Sequence, residues 1–161
     1  MYLFIDIKGD SKILDLNTII QIGVVVEDIN EAADMYADFF GVDRPKINIT
    51  DTYDKTGANY KGKPTEGRAK IANFKFDKIY IELIEPDDQP STWREFLDNK
   101  GEGIHHIGFL VKNTHGIIRG LKDKGVDVIQ RGKFSRGNGG QYTYLETLNN
   151  LKFIIQLLQM N

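Results

Sequence analysis

The stretch that decides the fold is Gly103–Val111, which has the sequence GIHHIGFLV. It is rich in Ile, Phe, Leu and Val, it opens with a glycine, and a polar turn follows it, all of which is typical of a buried β-strand. Side chains of a strand point alternately to its two faces. One of the two adjacent histidines, His105 or His106, must therefore point inward.

A second copy of this stretch lies earlier in the chain, at Ile20–Val26 (IQIGVVV). It aligns without a gap with His105–Val111, and the alignment places Gln21 on His106. Each copy continues through a polar turn and a helical stretch to the tripeptide Gly-Val-Asp. The match indicates an internal duplication, which has to be considered before any fold is named.

The composition limits the classes of protein to consider. The chain has 161 residues, 40% of them hydrophobic, which is enough for one compact unit with its own core. A formal net charge of −2 gives no electrostatic reason to expect binding to nucleic acid or to an anionic membrane. The absence of cysteine and of any long apolar span predicts a cytoplasmic protein without disulfides or thiolate metal ligands.

The order of the elements predicts an α+β fold built from two βαβββ modules. In each half a strand is followed by a helix and then by about three strands, and two such halves side by side can curve their sheets into a cleft. We expect an N-terminal extension over residues 1–17, a first module over 18–86, and a linker helix with the second module over 87–161. The polar segment Val42–Gly67 is the hardest part to assign, and its length is typical of a binding loop.

Four strands each carry a polar residue where an apolar one is expected, at Gln21, Glu82, His106 and Gln156. They lie on the first and last strand of each half, as a duplication predicts. Burial of such groups without partners costs several kcal/mol, on the order of 2–7 for a polar group. A divalent metal ion would satisfy them, and so would a hydrogen-bond network among the four side chains. These residues alone leave both alternatives open.

Together these strand motifs resemble those of the vicinal oxygen chelate superfamily, which contains glyoxalase I, methylmalonyl-CoA epimerase, bleomycin resistance proteins and extradiol dioxygenases. The resemblance covers residues 18–159 and is carried by the sequences QIGVVV, IELIEP, GIHHIG and IIQLLQ. It is greatest toward methylmalonyl-CoA epimerase, through the linker, the helix around Trp93 and the Gly103–Val111 strand. It implies paired βαβββ modules with a divalent ion such as Zn, Ni, Co or Mn in the cleft.

The resemblance also implies that the metal ligands are Gln21, Glu82, His106 and Gln156. Gln156 departs from the family pattern, because glyoxalase I and the epimerase have a glutamate there that both binds the metal and takes a proton from the substrate. A neutral amide cannot act as that base. The second carboxylate of the epimerase falls at Lys70, which could act as a base only if burial lowered its pKa.

The remaining polar candidates have simpler explanations. His105 is expected to face away from His106, and His115 is expected to be solvated in a turn. Lys133 and Arg136, near a glycine-rich turn, are candidates for holding an anionic part of a ligand, although a basic hairpin tip is usually only solvated.

Three hypotheses follow for the function. The first is a metal-dependent lyase or isomerase that acts on a small carbonyl or thioester compound through a metal-stabilised enolate. The second is a bleomycin-resistance-like protein that binds a small molecule without turnover, which the replacements at Gln156 and Lys70 favour. The third is a structural or regulatory subunit, and in all three cases we expect a homodimer.

Overall fold

A computed structural model describes residues 16–161 of the chain. Residues 1–15 of the predicted N-terminal extension lie outside the described residues. Within the described part, no helix is of the length and hydropathy needed to cross a membrane.

A curled mixed sheet of ten strands forms the framework of the described residues. The strands run in the spatial order β2-β5-β6-β1-β7-β10-β9-β8-β3-β4. Their bounds are β1 Ile19–Val25, β2 Asn48–Ile49, β3 Asn59–Tyr60, β4 Lys63–Pro64, β5 Ala69–Phe76, β6 Ile79–Pro86, β7 Gly103–Leu110, β8 Val128–Phe134, β9 Gly140–Leu145 and β10 Ile154–Met160. The predicted α+β class and glyoxalase-like fold are confirmed.

Within residues 16–161, five helices accompany the sheet, namely α1 Ile29–Phe40, α2 Tyr53–Thr56, α3 Thr92–Lys100, α4 Thr114–Lys122 and α5 Leu148–Leu151. Helix α1 begins at Asp28, whose carboxylate accepts hydrogen bonds from the main-chain N–H groups of Asn30 and Glu31. It ends at Gly41, which adopts a left-handed φ of 62°. Ser91 caps α3 by accepting from the Arg94 N–H, as the sequence predicts.

The strand pairing repeats itself about the centre of the sheet. β1 pairs antiparallel with β7, and these two strands are the first of each repeat. β1 also pairs in parallel with β6, and β7 pairs in the same way with β10. Gln21 and His106 therefore lie on the two central strands, and each has the polar residue of its own half on the neighbouring strand.

The two faces of the sheet bury different parts of the core. On one face α1 packs on β5 and β6 through Ala33, Phe74 and Leu83, and α4 packs on β10 through Leu121 and Leu157. On the other face, which we call the inner face, α3 packs through Trp93 and Phe96 against a cluster from both halves. That cluster contains Val25, Ile71, Ile84, Tyr144 and Ile154.

The segment that was hardest to assign from sequence, residues 42–67, crosses from one edge of the sheet to the other. Its strand β2 pairs with β5 of the first half, whereas β3 pairs with β8 of the second half. The residues between these strands, among them Thr50, Asp51 and Thr56, line the hollow on the inner face. The segment thus joins the two halves across the open side of the curved sheet.

The last two strands are joined by a short helix rather than by a tight turn. β9 and β10 pair antiparallel, and α5, which contains Asn149 and Asn150, connects them. The Thr147 hydroxyl donates to the main-chain carbonyl of Phe153 at 2.9 Å and accepts from the Ile155 N–H at 2.9 Å, which closes the connection.

Candidate functional site

A cavity of about 450 Å³ lies on the inner face, enclosed by the curved sheet and the crossing segment. Its walls are mainly apolar and aromatic, with Ile71, Ile84, Trp93, Tyr142, Tyr144 and Leu158 among them. Polar side chains reach it at Gln21, Asn73, Glu82 and Gln156, and the exposed cations Lys133 and Arg136 also line it. An apolar cavity with a few convergent polar groups is typical of a small-molecule site.

Two glycines make room for the polar side chains of the central strands. A Cβ atom on Gly108 would lie 2.7 Å from Oε1 of Gln156 and 3.0 Å from Cβ of Gln21. A Cβ atom on Gly23 would lie inside the imidazole ring of His106. Each glycine of the repeat thus accommodates the first polar residue of the opposite half, which explains why these strand positions have no side chain.

On the first half of the site, Glu82 is hydrogen-bonded to Gln21 and Asn73. Removal from water raises the pKa of Glu82 from 4.5 to about 7, although the positive charge of Arg136 and these two hydrogen bonds act in the opposite direction. The side chain keeps part of its surface accessible, and it lines the cavity. Glu82 can therefore bind or release a proton near neutral pH.

On the second half, Gln156 and Tyr144 form a buried pair. The Gln156 amide donates from Nε2 to the Tyr144 hydroxyl oxygen at 3.0 Å, and the same oxygen accepts from Trp93 Nε1 at 3.1 Å. Oε1 of Gln156 is buried and has no hydrogen-bond partner among residues 16–161. Since an unpaired buried acceptor is unfavourable, this oxygen is available to a ligand or a cation.

The two histidines lie on the same side of the sheet, so the prediction that His105 faces away is wrong. Gly23 is paired with His106 and Val24 with Ile104, which leaves His105 as an extra residue in β7. Such a β-bulge breaks the alternation of side chains. The His105 ring consequently lies against Phe96 and Tyr144 on the inner face, at centroid distances of 5.2 and 5.4 Å.

A hydrogen-bonded chain links the two imidazoles to helix α3. Nδ1 of His105 lies 3.0 Å from Nδ1 of His106, and Nε2 of His105 lies 3.2 Å from the Thr92 hydroxyl. Nε2 of His106 is buried, and no group in the described part of the chain is hydrogen-bonded to it. Burial lowers the pKa of His105 to about 3 and that of His106 well below 6.5, so both rings are neutral at pH 7.

The four predicted ligands share the inner face but differ in access. Gln21, Glu82 and Gln156 line the cavity, whereas His106 is fully buried under Gly23, with its ring centroid 5.0 Å from that of Tyr144. Among residues 16–161 no three His, Asp or Glu side chains lie close enough to hold a metal ion. A cation at this site would therefore depend on the two glutamine amides as well.

Lys70, the weaker candidate for a base, lies outside the cavity lining and is exposed. Its ammonium group is 2.6 Å from Oε1 of Glu85, and this hydrogen-bonded ion pair raises the pKa of Lys70. A base needs the opposite shift. His115 is exposed at the start of α4, as expected for a solvated side chain.

Three residues of the site were not among the sequence candidates. Asn73 lies directly opposite Glu82 in the β5–β6 pair, so the register of that hairpin could have identified it. The sequence assigns no polar role to Trp93 or Tyr144, and nothing in their spacing indicates that the Tyr144 hydroxyl accepts hydrogen bonds from both Trp93 and Gln156. A hydrogen bond between side chains so distant in sequence leaves no local pattern.

A contact between loops lies beside the cavity. The carboxylate of Asp51, on the crossing segment, accepts hydrogen bonds from the N–H and the hydroxyl of Ser135 at 2.9 and 2.6 Å. These bonds lower the pKa of Asp51, so the contact is charged at neutral pH. It fixes the crossing segment to the turn that carries Arg136.

Comparison with solved structures gives the same fold from end to end of the described chain. The hypothetical protein BH1468 from Bacillus halodurans C-125 matches with a TM-score of 0.65 and 24% identity, over 89% of this chain and 94% of that one. Methylmalonyl-CoA epimerase from Mycobacterium tuberculosis matches with a TM-score of 0.60 and 20% identity, over 91% and 89% of the two chains. At these identities the likeness shows the fold.

Sequence comparison gives two further matches. The uncharacterized protein YqjC of Bacillus subtilis (strain 168) is 24% identical over 144 residues, which are 89% of this chain and 93% of that protein. The sequence model of one superfamily matches residues 20–144, the larger part of the chain, and thereby confirms the family expected from the strand motifs. The chain belongs to the Glyoxalase/Bleomycin resistance protein/Dioxygenase superfamily.

Proposed function

We propose that the cavity binds a small carbonyl or thioester compound beside a divalent cation, as in a lyase or isomerase of this superfamily. The most direct support comes from three groups of the site whose charge or lone pair the protein itself does not stabilise. Removal from water raises the pKa of Glu82, and the buried atoms His106 Nε2 and Gln156 Oε1 have no hydrogen-bond partners among the residues that the structure describes. A single cation would relieve all three, because imidazole nitrogen and carboxylate and amide oxygens are suitable ligands.

The residues present fit such an ion, although weakly. Gln21, Glu82, His106 and Gln156 would hold it, and only Glu82 among them carries charge. When bound, the ion would supply Lewis-acid polarisation of a carbonyl oxygen. The chain itself would supply an apolar wall of Trp93 and tyrosines that excludes water, and the cations Lys133 and Arg136 for an anionic part of the ligand.

Binding without turnover is the second candidate, and specific residues favour it. Proton removal beside a carbonyl needs a base in the cavity, and Gln156 has no proton-accepting chemistry. Lys70 faces away and is held protonated by Glu85. A bleomycin-resistance-like protein that only binds its ligand would keep the cavity and would need no base at Gln156 or Lys70.

Metal analysis tests whether the protein binds a divalent cation. Protein purified without chelator is expected to contain one divalent ion per chain, and chelator-treated protein is expected to bind Zn²⁺, Ni²⁺, Co²⁺ or Mn²⁺ in calorimetry. Gln21→Ala and His106→Ala should abolish this binding, whereas Lys70→Ala, outside the cavity, should retain it. A folded protein that takes up none of these ions would contradict the metal site and leave metal-free ligand binding as the function.

The second experiment tests turnover. Gln156→Glu restores a carboxylate, so it should bind the cation more tightly than the parent protein. With methylmalonyl-CoA as the thioester probe, hydrogen–deuterium exchange at the α-carbon is expected in this variant if the cavity positions the thioester for proton transfer. Exchange in the parent protein would favour the enzyme, and probe binding without exchange would favour the binding protein.

A homodimer remains part of the proposal. The helix α1 exposes apolar side chains, with Met35 65% and Phe39 82% accessible. Exposed apolar groups of this size commonly mark an association surface. Light scattering is expected to show a dimer that Phe39→Glu dissociates, and a parent protein that is monomeric at all concentrations would contradict it. A cytoplasmic location stays a prediction from composition.

A further inference from the structure

The β-bulge in β7 creates a contact between the adjacent histidines that a regular strand would not allow. In regular alternation the two rings would lie on opposite faces. Here the extra residue turns His105 to the inner face, and its Nδ1 meets Nδ1 of His106 at 3.0 Å. At that distance the two nitrogens share one proton, because two lone pairs would repel and two N–H groups would collide.

That proton has two alternative positions, and the surroundings of the two outer nitrogens distinguish them. Nε2 of His106 is buried and has no partner within residues 16–161, so a proton on it would be an orphaned donor, which is rare in folded proteins. Nε2 of His105 lies 3.2 Å from the Thr92 hydroxyl, whose oxygen can accept a hydrogen bond. The His105 proton therefore belongs on Nε2.

The rest of the chain of bonds follows from this assignment. With its proton on Nε2, neutral His105 has a lone pair on Nδ1, which accepts the Nδ1–H of His106. Neutral His106 then has no proton on Nε2. This is the buried atom that has no partner within the described chain.

We propose that His105 and Thr92 are positioning residues that lock His106 in the Nδ1–H tautomer, so that its Nε2 lone pair is kept free for a cation. The role in cation binding rests on the proposed function, but the tautomer itself does not. Orientation of a ligating histidine through its second nitrogen is a general means of raising ligand basicity, and its loss commonly weakens metal binding by about 10–100-fold. The unusual feature here is that a neighbouring histidine, placed by a bulge, is the acceptor.

The tautomer can be measured in metal-free protein by ¹⁵N NMR of the histidine side chains. The chain has only three histidines, and His115→Gln removes the exposed one, so the two remaining rings are readily assigned. We expect protonated Nδ1 and unprotonated Nε2 in His106, and the reverse in His105. A proton on Nε2 of His106 would overturn the proposal.

Two variants test the role of His105. His105→Phe keeps a ring of similar size and removes the acceptor, whereas His105→Asn keeps an acceptor near the position of Nδ1. We expect a mixture of His106 tautomers and about 10–100-fold weaker Zn²⁺ binding in His105→Phe, with both properties largely retained in His105→Asn. Equal Zn²⁺ affinity of His105→Phe and the parent protein would overturn the positioning role.

The His106 tautomer and its use in cation binding are tested separately. If the parent protein binds no Zn²⁺, the proposed function is wrong, and so is the role of the His106 Nε2 lone pair in cation binding. The tautomer assignment is still decided by the spectrum of the metal-free protein. If His105→Phe does not fold, the parent spectrum and His105→Asn are sufficient to decide it.

Discussion

The two halves of the site use equivalent strands, but their polar groups differ in hydrogen bonding and in access to the cavity. In the first half, Glu82 is hydrogen-bonded to Gln21 and Asn73, and it reaches the cavity. In the second half, His106 and Gln156 are almost completely buried, and each has one atom without a partner. The polar residues of the two halves thus occupy equivalent strands but differ in their protonation chemistry.

The pKa values of the buried groups are shifted in opposite directions in the two halves. The Glu82 carboxyl has a pKa above its ordinary value, so the folded protein holds its proton more tightly than the unfolded chain does. The buried histidines have pKa values below their ordinary value, so the folded protein holds their protons less tightly. The two halves should therefore respond oppositely to pH.

The largest expected effect is on the histidine side. Because the folded-state pKa of His105 is about 3 and the ordinary value is 6.5, its contribution to stability is present above pH 6.5 and is lost as pH falls below it. In His105→Asn the change in unfolding free energy from pH 7 to pH 4.5 should differ from that of the parent by about 3 kcal/mol. Urea denaturation at both pH values measures this.

The matched control for that experiment is His115→Gln, since this side chain is exposed. It should follow the pH dependence of the parent protein. A His105→Asn profile that also follows the parent would mean that the buried ring titrates normally.

The two glycines test the packing difference between the halves. In Gly23→Ala the new methyl group would overlap the His106 ring, which is enclosed and cannot move, so a loss of about 3 kcal/mol is expected. In Gly108→Ala the nearest atom is the end of the flexible Gln156 side chain at 2.7 Å, and we expect a loss of about 1 kcal/mol. Unfolding free energies at pH 7 compare the two, and the reverse order would contradict this description of the site.

The effect of Glu82 is expected to be no larger than that of His105 and opposite in sign. Its folded-state pKa of about 7 lies above 4.5, so its contribution is fully present below pH 4.5 and is lost as pH rises toward 7. Glu82→Gln should remove this loss, and the chelator-treated variant should gain up to about 3 kcal/mol on the parent protein between pH 4.5 and pH 8. If the unfolding free energies of Glu82→Gln and the parent protein differ by the same amount at both pH values, Glu82 is solvated like a surface carboxylate.

The smallest effect is expected at Lys70. Its ion pair with Glu85 is exposed on the lysine side, so Lys70→Met should change the unfolding free energy by less than about 1 kcal/mol. Zn²⁺ affinity measured by calorimetry should not change. A large loss of Zn²⁺ affinity would mean that Lys70 takes part in the site despite its orientation.

Much of the fold follows from local patterns in the sequence. The strand β5, Ala69–Phe76, lies where its apolar pattern predicts, and the capping residues Ser91 and Gly41 mark the ends of their helices. These features depend on neighbouring residues only. The repeat of Ile20–Val26 in β7 likewise indicated that both strands occupy equivalent places, which the pairing of β1 with β7 bears out.

Other features depend on contacts between distant residues. The bulge at His105 exists only relative to its partner strand β1, so period-two alternation assigned the ring to the wrong face. The hydrogen bonds of Tyr144 to Trp93 and Gln156 join three separate elements. The sequence could therefore identify polar residues on the inner strands, whereas which of their atoms are satisfied required the three-dimensional arrangement.

The crossing of residues 42–67 from β5 to β8 has a consequence for any attempt to divide the protein. Although the chain reads as a duplication, the first half supplies β3 and β4 to the sheet edge of the second. A fragment that begins at residue 87 would have β8 as a bare edge strand, and such edges recruit other chains. In the whole chain β3 covers that edge, so the fragment is expected to associate through β8 more readily than the intact protein does.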